Sequence, residues 1–66
     1  MTQPIFQKKK PFPQGSAMPY IVRGIVNSKR VELVDRRSNF RIGIYPNEDC
    51  AYEARRFQLM REGYEV

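Results

Sequence analysis

The chain has 66 residues and a net charge of +5, and it contains no histidine and one cysteine, Cys50. A chain of this length forms one domain and buries only about 60% of the surface that its unfolded form exposes, so an enclosed catalytic pocket is not expected. The lack of histidine and of a second cysteine excludes the usual general base, the common zinc ligand sets and an internal disulfide, so we expect no enzyme, metal or cofactor.

Residues 1–18 are predicted to form a flexible basic arm ahead of a small domain at residues 19–66. The prolines and the glycine of the arm exclude a regular helix, and the segment has too few apolar groups to fold alone. Its lysine run consists of Lys8, Lys9 and Lys10. These lysines either follow the phosphates of a nucleic acid or serve as a solubilising tail.

Three strands are predicted at the start of the domain. β-Branched residues favour a first strand from Tyr20 to Val26 and a second from about Arg30 to Asp35. Alternating residues predict a third strand from Phe40 to Tyr45. The links between these strands are too short for parallel crossovers, so we expect an antiparallel meander.

One helix is predicted after Pro46, which stops the third strand. Asn47 occupies the N-cap position, and the helix runs from Glu48 to about Glu62. Gly63 is suited to the left-handed conformation that ends many helices. The predicted fold class is therefore α+β, with a three-stranded antiparallel sheet packed on one C-terminal helix and a disordered basic N-terminal arm.

The helical and strand periodicities predict which side chains are buried between helix and sheet. The helix stripe expected to face the sheet comprises Cys50, Ala54, Phe57 and Arg61, with Ala51 and Met60 at its margins. The sheet residues expected beneath it are Val22, Val26, Val31, Leu33, Phe40, Ile42 and Ile44. We expect Phe57 to bury the most area of the helix residues, so that Phe57→Ala unfolds the domain.

The outer face of the sheet, which is the face turned away from the helix, has no predicted second layer. Period-two geometry assigns to it Ile21, Arg23, Ile25, Arg30, Glu32, Val34, Arg41, Gly43 and Tyr45. Guanidinium groups suit phosphates and guanine edges, so this face is a candidate surface for nucleic acid. Alternatively, the arginines only solvate the sheet, with Glu32 paired to one of them.

The distribution of charge along the chain favours the same kind of partner. Residues 1–45 contain nine basic and two acidic side chains, a net charge of +7, whereas residues 46–66 contain three basic and five acidic ones, a net charge of −2. Such asymmetry is typical of a protein that turns one surface towards a polyanion. No stretch reaches the roughly 20 apolar residues of a membrane span, so we expect a cytoplasmic protein without a membrane partner.

The strand and helix sequences resemble the AP2 and integrase-arm type of DNA-binding domain. The resemblance covers residues 31–45, the helix at residues 48–57 and the dipeptide Arg23-Gly24 of the first strand. In that family three antiparallel strands pack on one helix, and the last strand ends in Gly-x-aromatic before an alanine-rich helix. The residues at those places here are Gly43-Ile44-Tyr45, Ala51 and Ala54. The chain departs from the pattern in lacking the tryptophans of the plant members and in one extra residue before the helix alanines.

The resemblance implies that the outer sheet face enters the major groove of duplex DNA, with Arg23, Arg30 and Arg41 at the matching contact positions. The complete candidate nucleic-acid site comprises Arg23, Arg30, Arg36, Arg37, Arg41, Tyr45, Lys8, Lys9 and Lys10. Duplex DNA ranks above RNA, because one aromatic, Tyr45, is fewer than base-stacking sheets normally have.

A second class of function is a small phage- or mobile-element-type protein that binds and modulates a host protein such as a polymerase or a nuclease. Its expected interface is the helix face turned away from the sheet, with Tyr52, Arg55, Arg56 and Leu59. Exposed Tyr52 and Leu59 are also compatible with incidental surface groups. We expect a monomer or a homodimer, the latter through an open sheet edge or the half-apolar outer face.

Overall fold

The computed structural model describes residues 9–66; residues 1–8, which include Lys8, lie outside the described residues. The strands are β1 (Tyr20–Gly24), β2 (Val31–Asp35) and β3 (Phe40–Tyr45), and they pair antiparallel in the order β1-β2-β3. Helix α1 (Glu48–Arg61) follows them, and a short 3-10 helix (Gly15–Ala17) precedes them. The predicted α+β fold is confirmed. Within residues 9–66, no helix has the length and apolar character needed to cross a membrane.

The turn between β1 and β2 is longer than predicted. β1 ends at Gly24, and Val26 lies exposed in the turn instead of beneath the helix. The turn contains Asn27 with a φ of 60°, a left-handed conformation that asparagine adopts more readily than most residues. The Ile25 N–H donates to the Arg30 carbonyl at 3.2 Å and closes the turn just before β2.

Both ends of α1 have the predicted caps. The Asn47 side chain accepts a hydrogen bond at 2.9 Å from the backbone N–H three residues later. At the other end Gly63 has a φ of 89°, and its N–H donates to the Met60 carbonyl. The next N–H, of Tyr64, donates to the Leu59 carbonyl, which completes a Schellman motif and turns the chain back towards the sheet.

The helix packs on the sheet through a different stripe from the predicted one. Ala51 and Leu59 are 0% exposed, whereas Phe57 is 50% exposed and Met60 is 47% exposed. Cys50, also expected in the buried stripe, is exposed as well. The expectation that Phe57 anchors the helix is therefore wrong. Apolar residues occur on more than one side of α1, so periodicity alone does not select the side that meets the sheet.

The core on the helix side of the sheet, called the inner face below, is assembled from distant parts of the chain. Its buried cluster consists of Met18, Tyr20, Leu33 and Leu59. Met18 precedes the expected domain start at residue 19, and further upstream the Lys10 N–H donates to the Gly63 carbonyl at 3.0 Å. The packed part of the chain thus begins before β1 and includes residues that sequence analysis assigned to the arm.

A bulge in β3 changes which of its side chains face the helix. Leu33 pairs with Gly43, but the next residue of β2, Val34, pairs with Arg41, so Ile42 is extra. Ile42 packs against the inner-face cluster. Because the extra residue shifts the alternation by one position, the residues after Ile42 lie on the faces opposite to those predicted.

The bulge moves Tyr45 and Ile44 to the faces opposite to those predicted, and Phe40, which precedes the bulge, differs from the prediction only in being exposed. Tyr45 packs against the inner-face cluster, and its hydroxyl lies only 2.8 Å from the position that a Cβ on Gly43 would occupy, so a larger residue there would displace the Tyr45 ring. Ile44 pairs with Glu32 on the outer face and is exposed. Phe40, in the terminal pair of the sheet, is also exposed. The assignment of Tyr45 to the outer face is wrong.

Candidate nucleic-acid interface

The outer face of the sheet lies on the side that α1 does not cover. Among the described elements α1 alone packs on the strands, and it does so through the inner-face cluster. The outer face is built from two register pairs between β1 and β2, Ile21 with Val34 and Arg23 with Glu32. Arg41 of β3 pairs with Val34 on the same face. The outer face thus combines apolar and charged side chains; its central residue Val34 is only 1% exposed, so the charged side chains form most of the accessible surface.

Glu32 lies at the centre of the outer face between two arginines. The Arg41 Nε donates to Glu32 Oε1 at 2.9 Å, and the Arg23 Nη2 lies 3.7 Å from Glu32 Oε2. The arginine side chains remain about half exposed, at 53% for Arg41 and 48% for Arg23, whereas Glu32 is 14% exposed. The largely buried carboxylate thus holds both guanidinium groups on one face, while the guanidinium groups themselves stay in contact with solvent.

Arg30 extends this arrangement from the turn between β1 and β2. It lies two residues before Glu32, and the alternation of the strand places it on the outer face. Its N–H donates to the Ser28 Oγ at 3.0 Å, which fixes the backbone of the turn. Both Arg30 and Lys29 are exposed, and neither makes an ion pair within residues 9–66. The outer face and its adjoining turn thus have more positive than negative charge.

Arg37, by contrast, is occupied by partners within the protein. It donates to Asp35 Oδ1 through Nε at 3.0 Å and to the Tyr20 hydroxyl through Nη2 at 3.0 Å. Its Nη2 also lies 3.5 Å from Glu62 Oε1, and the Tyr20 hydroxyl donates to the same carboxylate. This cluster joins the β2–β3 turn to the end of α1. Arg37, which sequence analysis assigned to the nucleic-acid site, is thus tied to two carboxylates, while its side chain is 56% exposed.

Arg36 lies beside this cluster, at the end of the sheet opposite to Arg30. Its N–H donates to the Pro19 carbonyl at 2.8 Å, and its Nη1 makes a long hydrogen bond of 3.4 Å to the Met18 carbonyl. A shallow depression of about 330 Å³ lies between Met18, Arg36 and Tyr64. No local sequence pattern indicates this depression, because it forms only when the segment before β1 folds against the chain end.

The ionisable groups around Arg37 have shifted pKa values. Hydrogen bonds from the Arg37 side chain hold the pKa of the Asp35 carboxyl below its usual value of 3.8. Burial, followed by the hydrogen bond to Glu62, raises the pKa of the Tyr20 phenol above its usual value of 10.0. A lowered carboxyl pKa in the folded state stabilises the protein above the unfolded-state pKa, and this contribution disappears as the pH falls through the folded-state pKa.

We therefore expect Asp35→Asn to lower the melting temperature at neutral pH and to have progressively less effect as the pH falls below the usual carboxyl range. Thermal unfolding followed by circular dichroism between about pH 7 and pH 2 measures this convergence. Glu65→Gln is the matched control, because Glu65 is exposed and makes no ion pair in the described part of the chain. A melting-temperature difference for Asp35→Asn that stays constant with pH would contradict the linkage.

The remaining residues of the predicted nucleic-acid site lie apart from the outer face. Tyr45 is on the inner face, so it offers no stacking surface beside Arg23 and Arg41. The Lys10 ammonium lies 4.9 Å from the centroid of the Tyr64 ring, at the end of the molecule where α1 ends. Lys9 is exposed, and Lys8 lies outside the described residues. The structure thus brings together Arg23, Arg30 and Arg41 of the predicted set.

The residues of the predicted protein interface do not share one surface. Leu59 is 0% exposed, so the expected exposed pair of Tyr52 and Leu59 does not exist. Tyr52 is exposed and stacks with Arg55, whose guanidinium carbon lies 4.8 Å from the ring centroid. Tyr52 and Arg56 border a shallow depression of about 390 Å³. Sequence analysis missed the exposed Phe57, which the helix periodicity had assigned to the core.

Comparison of the chain with protein-family models, with curated proteins and with solved structures gives no match. In residues 9–66 no group of three or more potential metal-ligating side chains occurs. The fold and the outer face define a small α+β domain with a basic sheet surface on the side that α1 does not cover. This surface is the strongest structural indication of a function.

Proposed function

We propose that this protein is a small nucleic-acid-binding module that docks the outer face of its sheet on duplex DNA. The observation that supports this most is the position of Arg23 and Arg41 on the two edge strands, on one face, oriented by Glu32 and still half exposed. In this proposal the module acts in the cytoplasm and requires no cofactor.

The spacing of these arginines suits a DNA groove. Neighbouring strands lie about 4.8 Å apart, so the backbones of the two edge strands are separated by about 10 Å. The major groove is about 12 Å wide and admits a β-ribbon. Arg30 lies about 7 Å further along the sheet, one two-residue step beyond Glu32. Three guanidinium groups can thus contact phosphates or guanine edges from one docking position.

The guanidinium group of Arg41 has donors both for its pair with Glu32 and for a ligand. Its Nε donates to Glu32, and its two terminal nitrogens make no hydrogen bond within residues 9–66. These nitrogens are the donors that form parallel hydrogen bonds to phosphate oxygens or to a guanine edge. Because the Glu32 carboxylate holds the Nε of Arg41, the direction of the guanidinium group is fixed before binding. This reduces the side-chain entropy lost on binding.

Three further features favour this proposal over its alternatives. The resemblance to AP2 and integrase-arm domains implies the same docking face, on which Arg23 and Arg41 lie. Tyr45, the aromatic on which an RNA-stacking surface depended, packs on the inner face, so duplex DNA is preferred over single-stranded RNA. The alternative function, in which a phage- or mobile-element-type protein modulates a host protein, is less favoured because Leu59 of its expected interface is buried.

The test is a fluorescence-anisotropy titration of the protein into labelled duplex DNA, single-stranded DNA and RNA at about 50 and 200 mM salt. We expect the duplex to bind with a dissociation constant of about 10⁻⁶ M at the lower salt concentration. Three to four phosphate contacts predict an affinity loss of about 40- to 150-fold at the higher one. Undetectable duplex binding at low salt, or binding without salt dependence, would exclude the proposal. If the protein bound RNA more tightly than duplex DNA, the outer face would instead be an RNA-binding surface.

A pull-down from a host lysate with and without nuclease separates this proposal from the protein-modulating function. A protein captured through a DNA bridge disappears after nuclease digestion, whereas a directly bound protein is retained. Capture that survives digestion and depends on Tyr52 and Arg56 would favour the second function.

A further inference from the structure

The solvent side of α1 exposes two large apolar side chains. Phe57 is 50% exposed and Met60 is 47% exposed, and both lie opposite the buried stripe that contains Ala51 and Leu59. On a helix, residues three and four positions apart are neighbours on the surface, so Phe57 and Met60 form one patch. This patch lies on the side of the domain opposite to the outer sheet face.

The patch is flanked by two charges of opposite sign. Glu53 lies four residues before Phe57 and Arg61 four residues after it, so the three side chains form one inclined row along the helix. Each charge is about 6 Å from Phe57 along the helix axis. Both are exposed, and neither makes an ion pair within the described range of 9–66. The row is called the Glu53–Phe57–Arg61 ridge below.

The charges of this ridge are complementary to those of a second copy that runs in the opposite direction. A two-fold rotation about an axis through Phe57 reverses the direction of the helix and exchanges the positions of Glu53 and Arg61. In an antiparallel pair, Glu53 of each copy therefore faces Arg61 of the other, and the two Phe57 rings meet at the axis. A parallel pair would place like charges opposite each other and is disfavoured.

We propose that the protein forms a symmetric homodimer through antiparallel packing of two α1 helices on the Glu53–Phe57–Arg61 ridge. Rows of residues four apart pack into each other's grooves at a crossing angle of about −50°, the commonest helix-packing class, and this angle makes the two ridges run side by side. The dimer is isologous and closes on itself. It leaves both outer sheet faces exposed, and it does not depend on nucleic-acid binding.

The dimer is expected to be weak. Stable specific interfaces bury about 1,200–2,000 Å² in total, and one pair of short helices centred on a single aromatic lies at or below the lower limit. We therefore expect a dissociation constant of about 100 µM. Cys50 does not hold the dimer together: it lies seven residues before Phe57, so the two thiols are about 21 Å apart along the axis.

The experiment is sedimentation equilibrium of the full chain under reducing conditions over about 10 µM to 1 mM, a range that brackets the expected dissociation constant. Glu53→Lys and Arg61→Glu are each expected to weaken self-association at least about tenfold, because each places like charges opposite one another. An equimolar mixture of the two variants should associate within about threefold of the wild-type affinity, since the introduced Lys then faces the introduced Glu at one end of the ridge and Arg61 faces Glu53 at the other. The double variant keeps the wild-type net charge and should recover in the same way.

Arg56→Glu is the matched control for Arg61→Glu, because it makes the same change in charge on an exposed part of α1 beside the ridge. It should change the affinity less than about threefold, as should Cys50→Ser. Circular dichroism establishes that each variant is folded, and the mixture supplies a test that does not depend on either variant alone. A protein that is monomeric at about 1 mM, or whose association is unchanged by Glu53→Lys, would overturn the proposal. So would a mixture that fails to recover association.

Discussion

We expect Leu59→Ala to destabilise the protein by about 2–5 kcal/mol, because truncating a fully buried leucine removes apolar packing and leaves a cavity. Leu59 is 0% exposed and packs with Leu33, Tyr20 and Met18 in the one buried cluster that joins helix to sheet in the described structure. A domain of this size has about 3–5 kcal/mol of stability from its core, so a large fraction of the variant should be unfolded at room temperature. Urea and thermal unfolding followed by circular dichroism measure the change.

The matched control for this prediction is Phe57→Ala. Phe57 is the larger side chain but is 50% exposed, so its truncation should cost no more than about 1 kcal/mol. The unfolding of both variants should be measured at micromolar protein concentrations, where self-association through α1 does not contribute to stability. If Phe57→Ala destabilised the protein more than Leu59→Ala, the helix would lie on the sheet through the stripe that the sequence predicted.

The contrast between these two residues shows what local sequence signals can establish. The ends of α1 were predictable because each depends on residues within one turn: Asn47 caps the first turn, and Gly63 adopts the left-handed conformation at the last. The rotation of α1 about its own axis was not predictable. It depends on Leu59 meeting Met18 and Leu33, which are distant in sequence.

The same distinction applies to the candidate site. Arg23 and Arg41 were correctly assigned to the outer face, because both precede the bulge and follow a simple alternation. Tyr45 follows the bulge and lies on the inner face. No residue type in β3 indicates a bulge, because Ile42 is an ordinary strand residue. Its extra position results from how β3 pairs with β2. Nor does the sequence show that Arg37 is occupied by Asp35 and Glu62.

These placements decide which charges to remove in a test of nucleic-acid binding. Arg37 is unsuitable, because its removal would break the cluster with Asp35, Glu62 and Tyr20 and would change stability together with affinity. Arg23 and Arg41 are half exposed, and glutamine at these positions keeps a hydrogen-bond donor for the Glu32 carboxylate, which is 14% exposed, so this replacement should cost less folding free energy than the loss of Arg37.

We expect replacement of Arg23, Arg30 and Arg41 together by glutamine to weaken duplex-DNA binding about 100-fold at low salt. Each phosphate that the variant no longer neutralises reduces the slope of log affinity against log salt by about 0.9, so the slope should decrease by about 2.7. Glutamine keeps much of the side-chain length and polarity while removing the charge. Anisotropy titrations at four or more salt concentrations measure both quantities, at protein concentrations below those at which the dimer forms.

The decisive comparison is with the variant in which Arg55, Arg56 and Arg61 are replaced by glutamine, because the change in net charge is identical. These arginines lie on α1, on the other side of the molecule from the outer face. If long-range attraction by net charge were the whole cause of binding, the two triple variants would lose affinity equally. If the outer face docks on the DNA, the sheet variant loses both affinity and salt slope, whereas the helix variant changes affinity by no more than about threefold. Equal losses in the two variants would exclude the outer sheet face as the docking surface.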